Sequence, residues 1–365
     1  MDERTRVVSV VGATVALFLL VQLGALALAE PFEATHQTFE DPENPVNSLL
    51  VVGFMLVATA GMLVIIKRGA ERLIRWLIIF VGGMLSWFVL DVLARLALAP
   101  FLAETTAATA GTALGALGAL AVVAGLVFHP EWYVIDAAGV LMGAGAAGLF
   151  GVSFGIGPAL LLLVVLAVYD AISVYGTEHM LTLAEGVMDQ NIPVLFVIPA
   201  TLSFSMDDLA EAESLEGSEE DGEAAESDEA DEAMGGEEAD ETAEDPEADE
   251  PAEGDEADEP TREAERGPLE RDALFIGLGD AVIPTILVAS AGFFLDAPAL
   301  VPGLALNAPA LGAMVGTIAG LLGLMFLVMK GRPHAGLPLL NGGAITGYLV
   351  AALAMGIPFT TAIGL

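Results

Sequence analysis

The 365-residue chain contains no cysteine, which excludes disulfide bonds, thiol nucleophiles and iron–sulfur ligation. Histidine is also scarce, and none of the histidines belongs to an HExxH pair, so a zinc protease site is not expected. The four of them lie near the edges of apolar blocks: His36, His129, His179 and His334. The sequence therefore predicts no metal and no other cofactor.

Charged residues are few, at 17% of the chain, whereas hydrophobic residues make up 55% and the mean hydropathy is +0.70. A soluble domain has about a quarter charged residues. The apolar residues fall into blocks of about 20 or more, which span roughly 30 Å of hydrocarbon as helices. Because backbone groups find no water there, each block should be helical. We predict an all-α, multi-pass integral membrane protein of the cell membrane.

Nine transmembrane helices are predicted. They lie at residues 7–28, 47–66, 73–98, 107–128, 134–151, 156–177, 273–295, 304–329 and 335–357. The first block follows Arg4 and Arg6, as the apolar region of a signal peptide would. Its apolar core of about 22 residues is longer than the about 7–15 of a cleaved signal, so we interpret it as a membrane helix.

The basic residues indicate the orientation, because cytoplasmic connections carry an excess of Lys and Arg. With nine spans, all but one of them lie on one side of the membrane: Arg4, Arg6, Lys67, Arg68, Arg72, Arg75, Arg262, Arg266, Arg271, Lys330 and Arg332. This predicts a cytoplasmic N-terminus and an external C-terminus. The exception, Arg95, follows Asp91 by four residues, which predicts an ion pair on one helix face.

The formal net charge of −38 comes mainly from one segment, since residues 207–272 hold 32 of the 50 acidic residues. Such sequence cannot bury enough apolar surface to fold alone, so a disordered cytoplasmic loop is expected. It separates a six-helix part, 1–206, from a three-helix part, 273–365. A solvated spacer is favoured over a tail that binds basic partners or cations, and no nucleic-acid partner is expected. Dense carboxylates also suit a salt-adapted host.

Small residues recur at four-residue spacing, which lets membrane helices approach closely. The glycines concerned are Gly111, Gly115, Gly139, Gly143, Gly312, Gly316 and Gly320. Gly143, Gly145 and Gly148 also match GxGxxG, but no strand precedes them, so we interpret them as packing residues.

Carboxylates deep in a membrane cost roughly 2.5–3.5 kcal/mol each and are candidates for function. Asp170 and Asp280 have no basic residue within one helical turn, whereas Asp136 and Asp296 lie near span ends and are expected to reach water. Asp170 and Asp280 each lie about 12 Å below the same cytoplasmic surface. If they meet, they share a proton and provide general acid and base groups. The alternative is that each bonds separately to a neighbouring helix.

Backbone irregularities accompany these aspartates. Gly277 and Gly279 leave room beside Asp280, and Pro284 removes the N–H that would bond its carbonyl. Pro338 predicts an irregular start of the last helix.

Three motifs then occur in order: Tyr169-Asp170, Gly277-Leu278-Gly279-Asp280, and Ala335-Gly336-Leu337-Pro338 in place of a Pro-Ala-Leu element. Together they resemble the presenilin and signal peptide peptidase family of GxGD-type intramembrane aspartyl proteases, in the form of a presenilin-like archaeal homologue. The stretch 179–193 also resembles the presenilin sequence.

The resemblance implies an endopeptidase that cuts transmembrane substrates within the lipid bilayer, with no required partner subunit evident. It implies catalytic roles for Asp170 and Asp280, motif roles for Tyr169, Gly277, Leu278 and Gly279, and substrate binding by Leu274, Phe275, Ile276, Gly336, Leu337 and Pro338. In the family the substrate pairs as an extended strand beside the segment before the GxGD motif, here about Leu274–Leu278.

Three other classes of membrane protein are alternatives. A proton- or cation-coupled transporter would also use buried aspartates on broken helices, but no inverted repeat relates the two parts of the chain. A prepilin-type peptidase shares the GxGD aspartate and lacks the Pro-Ala-Leu element. A serine intramembrane protease is excluded, because the segment 151–155 is not GxSG and no histidine lies deep enough to act as base.

Overall fold

The computed structural model describes residues 3–36, 39, 41–176, 195–199, 273–329 and 335–365. These residues form six helices, α1 (Glu3–His36), α2 (Val46–Lys67), α3 (Glu71–Leu98), α4 (Glu104–Phe128), α5 (Trp132–Ser153) and α6 (Ile156–Gly176), then two strands, β1 (Leu195–Pro199) and β2 (Ala273–Gly277), and four more helices, α7 (Leu278–Phe294), α8 (Ala308–Val328), α9 (Gly336–Ala354) and α10 (Phe359–Ala362). Three segments lie outside the described residues: the acidic segment 207–272, the stretch 179–193 and the connection 330–334.

Eight of the described helices are long and apolar enough to cross a membrane, namely α1 to α6, α8 and α9. The chain is therefore a mostly helical, multi-pass membrane protein. Helix α7 is apolar but has 17 residues, which is about 25 Å of helix. The predicted count of nine depends on whether α7 spans the bilayer.

The seventh apolar block was expected to be helical from residue 273, and this prediction was wrong at its start. Ala273–Gly277 form strand β2, which pairs antiparallel with β1. The purely helical fold class is therefore incorrect for these two strands. A short apolar run suits a buried strand as well as a helix, so its pattern cannot distinguish them. The partner strand supplies hydrogen bonds that water cannot supply within a membrane.

Helix α7 lies at the centre of the described bundle, in contact with α1, α5, α6, α8 and α9. Nearly all its residues from Ala281 to Ala291 are buried. Hydrogen bonds hold its C-terminal end in place: Ser290 donates to the Phe154 carbonyl at 2.8 Å, and the Asn307 amide donates to the Ala291 carbonyl at 2.8 Å. The Asn307 side chain also accepts from the Ala310 N–H at 2.9 Å and so caps α8.

The predicted close packing at glycines is confirmed. On α8, a β-carbon at Gly312 or Gly316 would collide with the backbone carbonyl of Gly347 or Gly343 on α9, and one at Gly320 with that of Leu339. The GxGxxG match on α5 is also a packing feature, since a β-carbon at Gly145 would lie 2.6 Å from Val89 of α3.

The predicted ion pair on α3 is confirmed as well. Arg95 Nε lies 2.9 Å from Asp91 Oδ1, and Arg95 Nη2 donates to Thr112 Oγ1 of α4 at 3.0 Å. This pair joins two peripheral helices and is separate from the aspartates discussed below. Helix α2 is more peripheral still: Asn47 and Ser48 are its buried residues, at its first turn.

Candidate active site

Asp170 lies in the second half of α6 and is buried, with 7% of its surface exposed. Its Oδ2 accepts a hydrogen bond from the backbone N–H of Leu337 at 3.0 Å. Leu337 belongs to the first turn of α9, where backbone N–H groups have no helical partner. The carboxylate of α6 thus occupies the N-terminal end of α9, a position that favours an anion.

Asp280 lies in the first turn of α7, immediately after β2, and is partly buried. Its carboxylate faces two glycines. A β-carbon built on Gly277 or on Gly336 would lie 3.5 Å from Asp280 Oδ2 in each case. The absence of side chains at these two positions leaves space beside the carboxylate.

The start of α9 brings the two aspartates together. Gly336 faces Asp280, and the next residue, Leu337, donates to Asp170. The two carboxylates are close enough for their charges to interact. One turn further along α9, the Asn341 amide donates to the Leu163 carbonyl of α6 at 2.9 Å, which holds α9 against the helix that carries Asp170.

The motif residues do not all point toward the aspartates. Tyr169 is 44% exposed and lies on the outer side of α6. Leu278 packs against α5, with its Cδ1 3.2 Å from the position of a β-carbon on Gly143. Leu337 is partly buried and packs against the main core cluster.

Pro338 lines a groove between α8 and α9 and is not among the residues that line the cavity at Asp280. It lies in the first turn of α9, where its missing N–H breaks no helical bond. The predicted irregular start of the last helix is therefore wrong for the described residues, since α9 is helical from Gly336 through the proline.

A cavity of about 170 Å³ lies beside Asp280, and all five residues of β2 contribute to its wall. The predicted substrate-binding residues Leu274, Phe275 and Ile276 are thus part of one surface with Asp280. Its other walls come from α1, α8 and α9, through Arg6, Val7, Val10, Val11, Phe18, Leu321, Leu324, Met325, Val328, Met329 and Leu340. The lining is largely apolar, as is usual for a binding cavity.

The cavity-lining residues of α1 and α8 were not predicted as site residues from the sequence. An apolar side chain that lines a cavity has the same chemistry as one that faces lipid, so the sequence contains no signal for them. Arg6 was assigned to the cytoplasmic edge of α1 by its charge alone. Asn341 carried a usable signal, because an amide inside an apolar span needs a partner.

The expectation that Asp136 reaches water was wrong. Asp136 is 8% exposed, and its Oδ1 accepts from the Val197 N–H of β1 at 2.8 Å. The strand was not predicted from the sequence, so its bond to α5 could not be predicted either. Asp296, the other aspartate near a span end, is exposed as expected.

Two neighbouring carboxylates, one of which lines a mostly apolar cavity, have a defined chemical capability. Like charges so placed do not ionise together easily, so the pair can hold one proton between them. One group is then able to accept a proton from water while the other donates one, the arrangement found in aspartic proteases. The backbone N–H of Leu337 in α9 donates a hydrogen bond to one member of the pair, Asp170.

The comparisons with known proteins agree with this chemistry. The family model described as signal-peptide peptidase, presenilin aspartyl protease matches residues 15–357. A solved structure of a presenilin family intramembrane aspartate protease, in space group C222, is 33% identical, with a TM-score of 0.59; the match covers 94% of this chain and 99% of that one. A second, in space group P2, is 34% identical, with a TM-score of 0.56 and coverage of 94% and 97%.

No curated protein matches the chain. The family match covers nearly the whole membrane region, including α6, α7 and the start of α9. The predicted resemblance is therefore confirmed: the chain belongs to the signal peptide peptidase and presenilin family, and it is an intramembrane aspartyl protease.

Proposed function

We propose that this protease hydrolyses peptide bonds within the transmembrane segments of other membrane proteins, with Asp170 and Asp280 as its catalytic pair. The observation that supports this most directly is the position of the start of α9. Its consecutive residues Gly336 and Leu337 lie against Asp280 and Asp170 respectively. A single backbone segment thus contacts both carboxylates.

In the proposed reaction the two aspartates share one proton. The ionised carboxylate removes a proton from the attacking water, while the protonated one donates to the scissile carbonyl oxygen and then to the leaving nitrogen. The protonation steps belong to the pair and not to one residue, because interacting groups titrate together. The Leu337 N–H holds the carboxylate of Asp170 in position through the 3.0 Å hydrogen bond.

The proposed substrate is extended where it is cut. A transmembrane helix hides its carbonyl groups in internal hydrogen bonds, so the segment must unwind before a carbonyl reaches the aspartates. Unwound backbone in a membrane needs new partners. Strand β2 offers them beside the cavity, and Leu274, Phe275 and Ile276 provide apolar contacts for substrate side chains.

The remaining site residues have supporting roles in this proposal. Gly277 and Gly279 keep the approach to Asp280 open, Leu278 anchors the start of α7 on α5, and Tyr169 flanks Asp170. Gly336 and Leu337 shape the site from α9, and Pro338 keeps the start of α9 in a helical conformation.

The proposal includes an arrangement in the cell membrane. We infer nine spans, with α7 as the seventh, an N-terminus in the cytoplasm and a C-terminus outside. The acidic segment 207–272 then lies in the cytoplasm and separates the parts 1–206 and 273–365. No partner subunit is required in this proposal.

The test is cleavage of a single-pass model substrate by the purified protein in lipid nanodiscs. Asp170→Asn and Asp280→Asn should each abolish cleavage, because neither variant leaves an ionisable pair. Labelling by a transition-state-analogue inhibitor of aspartyl proteases should be lost in parallel. Asp91→Asn, which alters a carboxylate of another helix, should cleave normally.

Thermal unfolding in the same lipid distinguishes lost chemistry from lost structure. Both active-site variants should unfold close to the wild-type temperature. Turnover at the wild-type rate by either of them would remove the catalytic assignment.

A further inference from the structure

Strand β1 is attached to α5 by a carboxylate that takes no part in the proposed chemistry. Asp136 accepts the Val197 N–H at 2.8 Å, and both residues are buried. One turn along α5, Gly139 accommodates the ring of Phe196, since a β-carbon there would lie 3.0 Å from the ring atom Cε1. These two contacts hold β1 in one position on the face of α5.

The hydrogen bond to Asp136 also determines which way the sheet presents its backbone. Val197 lies opposite Phe275 in the antiparallel pair. Opposite residues in such a pair exchange both backbone hydrogen bonds or neither. The Val197 N–H donates to Asp136 of α5 and therefore points away from β2. Val197 and Phe275 are thus opposite residues that make no backbone hydrogen bond to each other.

Pro199 independently supports this alternation of hydrogen-bonded and non-hydrogen-bonded residue positions along the sheet. It lies opposite Ala273, two residues along from the Val197 pair, and a proline has no N–H to exchange. The bonds across the sheet are therefore made by the intervening residues of β2, Leu274 and Ile276. The N–H and C=O groups of Ala273, Phe275 and Gly277 point to the other edge, where no described strand pairs with β2.

This edge of β2, which is unpaired among the described strands, ends beside Asp280. A β-carbon on Gly277, the last residue of the edge, would lie 3.5 Å from Asp280 Oδ2. An added strand that bonds to Phe275 and Gly277 would therefore carry one of its peptide bonds past Asp280. Which peptide bond arrives there depends on how β2 is placed, and β2 is held by β1.

We propose that Asp136 is a positioning residue that selects the cleavage position, by fixing β1 on α5 and thereby the backbone groups that β2 offers to the substrate. This inference rests on the proposed function, because it requires a substrate strand on β2. It assigns Asp136 a role through β1 and not in proton transfer. Sheet register is sensitive to such anchoring, since a shift of one residue exchanges the two faces of a strand.

The experiment measures the product termini by mass spectrometry, with the same single-pass substrate for every variant. Asp136→Ala removes the acceptor of a buried N–H. The yield of the main cut relative to displaced cuts should fall on the order of tenfold. Asp136→Asn keeps an acceptor oxygen at the same place and should restore the wild-type termini. Asp91→Ala, the matched loss of a carboxylate on α3, should leave the termini unchanged.

A second variant tests the position of β1 without altering Asp136. Gly139→Val places a side chain against Phe196 and should displace β1, so it should give displaced termini too. This variant decides the question if Asp136→Ala does not fold.

The results separate this inference from the proposed function. Failure of the wild type to cleave, or cleavage by Asp280→Asn, would count against the catalytic proposal. Wild-type termini from folded Asp136→Ala or, if that does not fold, from Gly139→Val would overturn the role of Asp136 and leave the catalytic pair intact. The role of Asp136 would also be overturned if Asp136→Asn failed to restore the product termini that Asp136→Ala loses.

Discussion

Gly336 is the residue at which this chain differs most informatively from the family pattern, which has alanine at this position of its Pro-Ala-Leu element. Its β-carbon position faces Asp280, and the residue that follows it, Leu337, donates to Asp170. A β-carbon here would lie 3.5 Å from Asp280 Oδ2, an ordinary contact, and 3.3 Å from the terminal methyl Cδ2 of Leu324. The neighbour that must move is the end of a flexible side chain, so one methyl group fits.

We therefore expect Gly336→Ala to retain most of the cleavage activity, whereas Gly336→Leu should lose it, because a larger side chain fills the space beside Asp280. The rate of substrate cleavage measures both effects. The unfolding temperature of Gly336→Leu serves as the control for folding. Loss of activity in Gly336→Ala with an unchanged unfolding temperature would show that the site tolerates no side chain here.

At the scale of elements, α8 and α9 pack with their backbones in contact. The Gly316 position faces the Gly343 carbonyl so closely that any side chain would force the helices apart. Overpacking of this kind costs about 1–3 kcal/mol. Two other glycines of the same helices, Gly323 and Gly342, have nothing within 4 Å of a β-carbon position.

Gly316→Ala should accordingly lower the free energy of unfolding by about 1–3 kcal/mol. Gly323→Ala, the matched control on α8, should be neutral or stabilising by up to about 1 kcal/mol, because alanine favours a helix over glycine. Unfolding by denaturant in detergent micelles gives both values. Equal values for the two variants would contradict close packing as the reason for the glycine spacing.

At the scale of the whole molecule, the number of spans depends on α7. Eight described helices are long enough to do so, and α7 is shorter. If three helices span the membrane after the acidic segment, that segment and the C-terminus lie on opposite sides. If only two do, the segment and the C-terminus lie on the same side. The absence of cysteine makes this measurable without prior substitutions.

We expect Ser218→Cys, in the acidic segment, to be protected from a membrane-impermeant maleimide in intact cells, and Thr361→Cys, near the C-terminus, to be labelled. Both should react after the membrane is permeabilised. Labelling of both in intact cells, or of neither, would rule out an odd number of spans between them.

Much of the fold followed from local chemistry. A long apolar block in hydrocarbon must satisfy its own backbone hydrogen bonds and therefore forms a helix. Helices α2 to α6 accordingly begin and end within three residues of their predicted bounds. The ion pair of Asp91 and Arg95 lies on one helix face and needed no tertiary information. The paired β1 and β2 could not be predicted in this way, because apolar residues suit either conformation and the partner strand is distant in the chain.

The sequence of this protein was sufficient for its membrane class and its family, and it made Asp170 and Asp280 the catalytic candidates, because a charge buried in hydrocarbon is costly enough to need a purpose. Three features required the tertiary structure: the contact of Gly336 and Leu337 with both aspartates, the cavity along β2, and the attachment of Asp136 to Val197. Each depends on backbone atoms of segments far apart in the chain. The identity of the side chains along the sequence does not indicate where those backbone atoms meet.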